Sequence, residues 1–469
     1  MSDVWIIGSG MVRFGKYLDR SIKSLNREVV NGALADAELD ANDLEAAYFA
    51  NSNWGRSEGQ YCIRGQVALR AMGIQSIPVL NVENACAGGS SALHNAWLSV
   101  RAGQYDCVLA VGVEKIYQSN KAMMLSAFLG GIDADQIPET LKRYQQAEAE
   151  VGISAQFPQA ASSSAETLPS KKSRFAKWKR SLSLPKDSWE LLQTGVVLGN
   201  SIGWKTLQTL MRHGGGMGAK GHSPFMDIYS LAARQHMKKY GTTIEQLATI
   251  AAKNHHHSSF NPLAQYQFDL SAEDVLADRP VSYPLTRSMC APIGDGAAAA
   301  IVCSERFLKR HSATRAVRVL SSILASGRDR SLDEEDIGAR AGRRAYELAA
   351  VGPKDIQLAE LHDATAFGEL HHCETLGFCG EGEGGPYALS GITALGGVKP
   401  INTSGGLESR GHPIAASGLA QIHELVMQLR GEADRRQVSE ARVALAQNGG
   451  GAIGVEEAAM CIHILQGPS

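Results

Sequence analysis

From Pro78 to Leu98 the chain reads as a short apolar strand, a tight turn and a small-residue segment that continues as a helix. Its centre is Val82-Glu83-Asn84-Ala85-Cys86-Ala87-Gly88-Gly89-Ser90-Ser91-Ala92-Leu93. A cysteine is thereby placed where strand gives way to helix. There the unpaired N–H groups of the first helical turn face the sulfur, and the helix dipole favours its anion. Such surroundings lower a thiol pKa and make a nucleophile, so Cys86 is the leading candidate for a reactive residue. The glycines and serines after it let another backbone or a ligand approach closely. A buried, inert thiol is the alternative reading of the same residue.

Strand and helix patterns alternate throughout the first part of the chain. Val4 to Gly8, Ala46 to Ala50, Val79 to Val82 and Cys107 to Val113 read as strands, and Ser21 to Glu38 and Gln60 to Met72 as helices. Alternation of this kind builds an α/β fold, a largely parallel or mixed sheet covered by helices. Tyr117 to Ser223 breaks the rhythm with a polar stretch (Gln145 to Ser170), a basic run and a Gly-rich turn (His213 to Gly221). It reads as an insertion, partly mobile at Gln159 to Ser173. Helices at Ile228 to Tyr240 and Ile244 to His256 follow, and a Gly294-Asp295-Gly296 turn leads into a strand at Ala297 to Cys303.

The second part repeats the plan. Strands fall at Val317 to Ala325 and at Leu358 to Leu361, the latter ending in His362-Asp363, with helices at Glu334 to Ala350 and Phe367 to Leu376. A turn at Asn402 to Gly406 precedes a helix opened by His412 and reaching Leu429, and Arg442 to Ala446 and Ala459 to Leu465 are the closing strands. The shared element order points to an internal duplication. Residues 1–116 plus 224–310 make one half, 117–223 an inserted loop domain and 311–469 the other half.

At 469 residues and a formal net charge of −2, the chain has ample core and no general polyanion-binding surface, so nucleic acid is not an expected partner. It has no long apolar run and enters a strand directly at its N-terminus, so neither a membrane span nor a signal peptide is expected. Its 8 cysteines lack paired spacing, which fits a reducing, cytoplasmic location.

Three stretches now stand together in order: Asn84 to Ser91, Glu360-Leu361-His362-Asp363, and Asn402-Thr403-Ser404-Gly405-Gly406-Leu407-Glu408-Ser409-Arg410-Gly411-His412-Pro413. With Pro284 to Arg287, Gly294 to Ala299 and Gln428 to Ala433, they make the chain resemble the thiolase superfamily, within it the sterol-carrier-protein-type and lipid-transfer thiolases. The likeness covers nearly the whole chain except about Tyr144 to Leu191. It implies a thiolase fold of duplicated α-β-α-β-α halves with an inserted loop domain, and a homodimer or tetramer. It also implies an acetyl-CoA acetyltransferase-type acyltransferase that cleaves or forms 3-oxoacyl-CoA, with a bulky acyl chain common in this subgroup. Coenzyme A would be a substrate, with no permanently bound cofactor, and some members work with a small zinc-ribbon/OB-fold partner protein.

Thioester exchange at carbon needs a thiolate that accepts an acyl group, a base for that thiol and donors for the oxyanion. Cys86 suits the first role and His412 the second. By resemblance His362 supplies one donor. The other oxyanion site would come from the backbone N–H of Cys86 and of a glycine in Asn448-Gly449-Gly450-Gly451, with Gly450 the choice. One departure stands out: where these thiolases follow His-Asp with a cysteine that moves the α-carbon proton, this chain has Ala364. Another acid such as His362, Thr365 or a water would then act. Alternatively the chain is a CoA-thioester retro-aldolase or a non-catalytic acyl-CoA or lipid-binding subunit.

Other features carry plainer readings. The basic run Lys171, Lys172, Arg174, Lys177, Lys179 and Arg180 reads first as a solvated helix face, second as a contact for nucleotide phosphates, and third as a contact for an acidic surface. His255-His256-His257 and His371-His372-Cys373 are not read as metal sites, because neighbouring helical residues point about 100° apart. Cys107, Cys290, Cys303 and Cys461 read as core, while Cys62 and Cys379 lie near loops that could approach the site.

Overall fold

Ala, Val and Ile dominate the strands because helices cover both faces of the sheet. The computed structural model describes residues 3–119, 124, 127–133, 135–157, 223–311 and 314–468. Its strands are β1 (Val4–Met11), β2 (Ala46–Ala50), β3 (Val79–Val82), β4 (Cys107–Glu114), β5 (Pro280–Ser282), β6 (Leu285–Thr286), β7 (Gly296–Ser304), β8 (Val317–Ser326), β9 (Leu358–Glu360), β10 (Val443–Gly450) and β11 (Ala459–Gln466). Nine of them form one sheet in the order β3-β2-β4-β7-β1-β8-β11-β10-β9, and β5 and β6 pair separately.

The expected duplication is visible in strand direction as well as order. In the first half β2 runs parallel to β3 and β4, while β4–β7 and β7–β1 are antiparallel. In the second, β9 runs parallel to β10, while β10–β11 and β11–β8 are antiparallel. Ile401, bridged in parallel to Ala359, takes the place that β3 holds in the first half. Antiparallel pairing of Trp5 with Arg318 and of Ile6 with Val317 joins the halves edge to edge.

Helices complete the layers. Ile22–Ala37 and Arg64–Arg70 cover the outer face of the first half, and Ile337–Ala349 and Ala366–Thr375 that of the second. Gly88–Arg101 and Ser417–Arg430 lie between, sharing one core through Leu93, Trp97, Leu419, Ile422 and Leu425. Local chemistry fixes the starts: Ser21 accepts from the Ser24 N–H (3.1 Å) and Thr365 from the Gly368 N–H (3.3 Å). Among the described residues no helix is long and apolar enough to cross a membrane.

Three expected boundaries move. The helix expected at Gln60 to Met72 is shorter, Arg64–Arg70, because Ile63 before it takes the left-handed conformation (φ +48°), and a separate short helix, Trp54–Glu58, ends at Gly59 (φ +81°). The start of the expected polar stretch, Gln145 to Val151, is the end of a helix, Ile137–Val151, whose Tyr144 and Val151 pack on Leu231. The last long helix begins at Ser417, not His412. Pro413 disfavours helical geometry in the residue before it, and His412 instead bridges Ile293 in an extended stretch. The segment Gln159 to Ser173, the basic run from Lys171 to Arg180 and the His213 to Gly221 turn lie outside the described residues.

Candidate active site

Cys86 sits in a single tight turn, Ala85–Ala87, between β3 and the Gly88–Arg101 helix. Ala85 takes the left-handed conformation (φ +47°), and its N–H donates to Glu83 Oε1 (2.7 Å). Asn84 Nδ2 donates to Ser91 Oγ (2.9 Å), tying the turn to the helix behind it. Non-glycine residues in that region of backbone space are strained, and such strain clusters at functional sites.

Two imidazoles from the other half reach this turn. His412 Nε2 lies 3.2 Å from Cys86 Sγ. On its other side, Ser417 Oγ donates its hydrogen to the Pro413 carbonyl (3.0 Å) and therefore accepts from His412 Nδ1–H (2.6 Å). The tautomer is fixed, with a lone pair on Nε2 aimed at the thiol. His362 is set the opposite way. Asn448 Nδ2 donates to His362 Nδ1 (2.9 Å), so the ring proton is on Nε2. The two rings meet edge to face at 5.3 Å, and ligand atoms of Cys86, His362 and His412 all lie within 4.8 Å of one another. The three side chains singled out from sequence are thus brought together.

The electrostatics depart from expectation. The Cys86 thiol is pushed up to about 12, not down, chiefly by burial. The Gly451 N–H opposes this, and the charges of Glu114 and Glu83 reinforce it. His412 is pushed down to about 3 by burial and by Arg410. His362 is held well below the usual range by burial, with His412, His372 and Arg410 adding to it. The resting centre is accordingly a neutral thiol beside two neutral imidazoles. Proton transfer from sulfur to His412 must accompany attack, since no ion pair waits in the ground state.

The glycine expectation shifts by one residue. Gly450 ends β10 hard against the cysteine turn: a Cβ there would stand 2.3 Å from the Asn84 carbonyl and 2.4 Å from the Ala87 nitrogen. Gly450 therefore supplies close approach, and the amide facing the sulfur is that of Gly451. Sequence reasoning also passed over Ser417, Asn448 and Glu114. The Glu114 carboxylate is buried, accepts from the Ser52 N–H (3.1 Å) and Asn53 N–H (3.1 Å), and also bonds the backbone of Ala415. It knots the ends of β2 and β4 to the loop that carries His412, and burial raises it to about 7.

The remaining candidates separate. His255, His256 and His257 fan out to Ser409 (3.1 Å), Asp269 (2.9 Å) and the Asn402 carbonyl (3.0 Å). His371 pairs with Asp336 (2.5 Å), and His372 lies buried 3.4 Å from Gln447. Cys107, Cys303 and Cys461 are buried; half-buried Cys290 donates to the Thr286 carbonyl (3.3 Å). Cys62 is exposed, and Cys379 packs on the outer core of the second half. Beside the reactive centre, a cavity of about 480 Å³ opens between the Pro224–Tyr240 helix and the loop from Gly451 to Glu457, with Ile228, Tyr229 and Phe367 on its walls.

A duplicated α/β fold that presents a cysteine from one half to two imidazoles from the other defines a thiolase-type acyltransferase. Residues 4–156 match the family model of the thiolase N-terminal domain, and residues 326–464 that of the thiolase C-terminal domain-like family. The acetyl-CoA acetyltransferase of Methanothermobacter thermautotrophicus is 33% identical over 456 residues, covering 96% of this chain and 97% of the relative. Sterol carrier protein 2 of Oryctolagus cuniculus is 32% identical over 465 residues, covering 96% of this chain and 71% of the relative. The solved Ltp2-ChsH2(DUF35) aldolase superposes with a TM-score of 0.67 at 20% identity, covering 99% of this chain and 98% of that one. The chain belongs to the thiolase family.

Proposed function

We propose that this enzyme cleaves or forms a 3-oxoacyl-CoA through an acyl-Cys86 intermediate, with coenzyme A as substrate. The observation that carries the reading is the 3.2 Å contact of Cys86 Sγ with a His412 whose lone pair is held in place from behind by Ser417. In the cleaving direction His412 Nε2 takes the thiol proton as sulfur attacks the 3-oxo carbon. N–H groups of Cys86 and Gly451 hold the oxygen of that carbon. The bond to the α-carbon breaks, and His362 Nε2–H holds the enolate oxygen of the departing thioester. After the α-carbon gains a proton, coenzyme A takes the acyl group, and His412 returns its proton to sulfur.

The cavity of about 480 Å³ beside Gly451 favours a bulky acyl chain. The domain boundaries given above stand as part of this reading, as does a cytoplasmic setting, which suits eight free cysteines. A homodimer or tetramer is favoured by the outer edge of β3, which pairs with no further strand among the described residues and where Leu80 is 47% exposed. A small zinc-ribbon/OB-fold partner remains part of the proposal.

Thiolysis of a panel of 3-oxoacyl-CoAs tests it. Cys86→Ala and His412→Ala should each lose at least about a hundredfold in kcat/KM, and intact mass should show an acyl adduct on the parent only. Equal turnover in all three proteins refutes the mechanism, and absence of any adduct favours a non-catalytic acyl-CoA binder. Ala364 and the likeness to an aldolase structure favour one second reading, a CoA-thioester retro-aldolase. That enzyme would release an aldehyde or ketone without any demand for free coenzyme A.

A further inference from the structure

Cleavage leaves an enolate carbon that must be protonated, and Ala364 has no proton to give. The other thiols do not stand in for it: Cys290 turns its sulfur to the Thr286 carbonyl, and Cys461 is buried 3.5 Å from Ser91 Oγ. Tyr229 stands on the cavity wall. It is half-buried on the Pro224–Tyr240 helix, and its hydroxyl makes no hydrogen bond among the described residues. Its place is fixed by Gly368. A Cβ there would lie 3.6 Å from the Tyr229 ring, 3.6 Å from Asp363 Cα and 3.0 Å from the His362 carbonyl. The ring is therefore packed on the turn that carries His362, Asp363 and Ala364. It lines the cavity with Gly451, whose amide faces the reactive sulfur.

We propose that the Tyr229 hydroxyl is the catalytic acid that protonates the α-carbon in place of the missing second thiol. The inference rests on the carbon–carbon cleavage reading given above. The balance closes within one turnover. The phenol O–H bond breaks as a C–H bond forms at the α-carbon, leaving a phenolate. The incoming coenzyme A loses its thiol proton to solvent and attacks the acyl carbon on Cys86 as a thiolate, the departing Cys86 sulfur is reprotonated by His412, and the phenolate regains a proton from solvent through the cavity. Burial, with Glu457 adding to it, holds the Tyr229 phenol well above its ordinary pKa, so it stays protonated until a strong base such as an enolate meets it.

Three proteins test this: Tyr229→Phe, Ala364→Cys and the double variant. Acylation of Cys86 by acetyl-CoA, followed by intact mass, needs no α-carbon proton, because coenzyme A leaves as a thiolate. It should stay within about threefold of the parent in Tyr229→Phe, which also reports that the fold survives. Thiolysis of acetoacetyl-CoA, or of whichever 3-oxoacyl-CoA turns over fastest, should fall about 10²- to 10⁴-fold in kcat. The double variant, with a thiol restored at residue 364, should regain at least about tenfold over Tyr229→Phe. Unchanged thiolysis in Tyr229→Phe overturns the proposal. So does loss of acylation together with thiolysis, or a double variant as slow as Tyr229→Phe, either of which makes the tyrosine structural. A parent that never acylates Cys86 overturns the cleavage reading itself, and the role of Tyr229 falls with it.

Discussion

A thiol at the head of a helix invites the inference that it is acidic, and here burial wins over the dipole. With Cys86 pushed up to about 12 and His412 down to about 3, alkylation of the free enzyme should not show the flat profile of a preformed thiolate–imidazolium pair. The expected outcome is a rate with iodoacetamide that climbs steadily from about pH 6 to about pH 9, followed by mass spectrometry of the Cys86 peptide. A plateau beginning near neutrality would contradict it. Cys86, His362 and His412 were legible because each lies at a strand end or in a Gly-rich turn with its own short motif. Ser417, Asn448 and Tyr229 were not. Asn448 meets His362 from 86 positions away, and nothing local to either residue signals the pairing. The direction of the thiol shift was equally hidden, since a sequence reveals a helix start but not what covers it.

Among the elements, strands were easier to read than the turns between them. Runs such as Cys107–Glu114 and Gly296–Ser304 are apolar enough to announce burial on both faces. The stretch from Asn402 to His412 reads only as a Gly-rich loop, and it is the most highly organised turn around the site. Arg410, wholly buried, donates from Nη1 to Glu360 Oε2 at the end of β9 (2.9 Å) and to Ser404 Oγ (2.9 Å). Arg410→Met leaves Glu360 buried without its partner and should destabilise the fold by about 3–5 kcal/mol, measurable by chemical denaturation. Glu408 in the same turn is buried, and burial, Asp363 and Glu369 hold its pKa well above the usual range. Such a group stabilises the fold fully only below the pKa it has when unfolded, and that stability is lost as pH rises towards the folded value. Glu408→Gln should therefore melt higher than the parent near pH 8, with the gap closing towards pH 4, in paired thermal scans at about those two values.

At the scale of the whole molecule, the outer edge of β3, unpaired among the described residues, is the feature that calls for a partner, because a strand edge with apolar side chains invites pairing with another chain. Light scattering should find a dimer or tetramer, and Leu80→Lys should shift it towards monomer; a monomeric parent would remove this edge from consideration. The joining of the halves carries a different consequence. The nucleophile is translated long before its base: a ribosome that has just made β7 has released a cysteine with no imidazole to deprotonate it. Only when the second half has been synthesised, folded and docked through β1 and β8 do sulfur and ring come within reach of each other. The nascent chain thus lacks the catalytic pair, which comes together only as the two halves assemble.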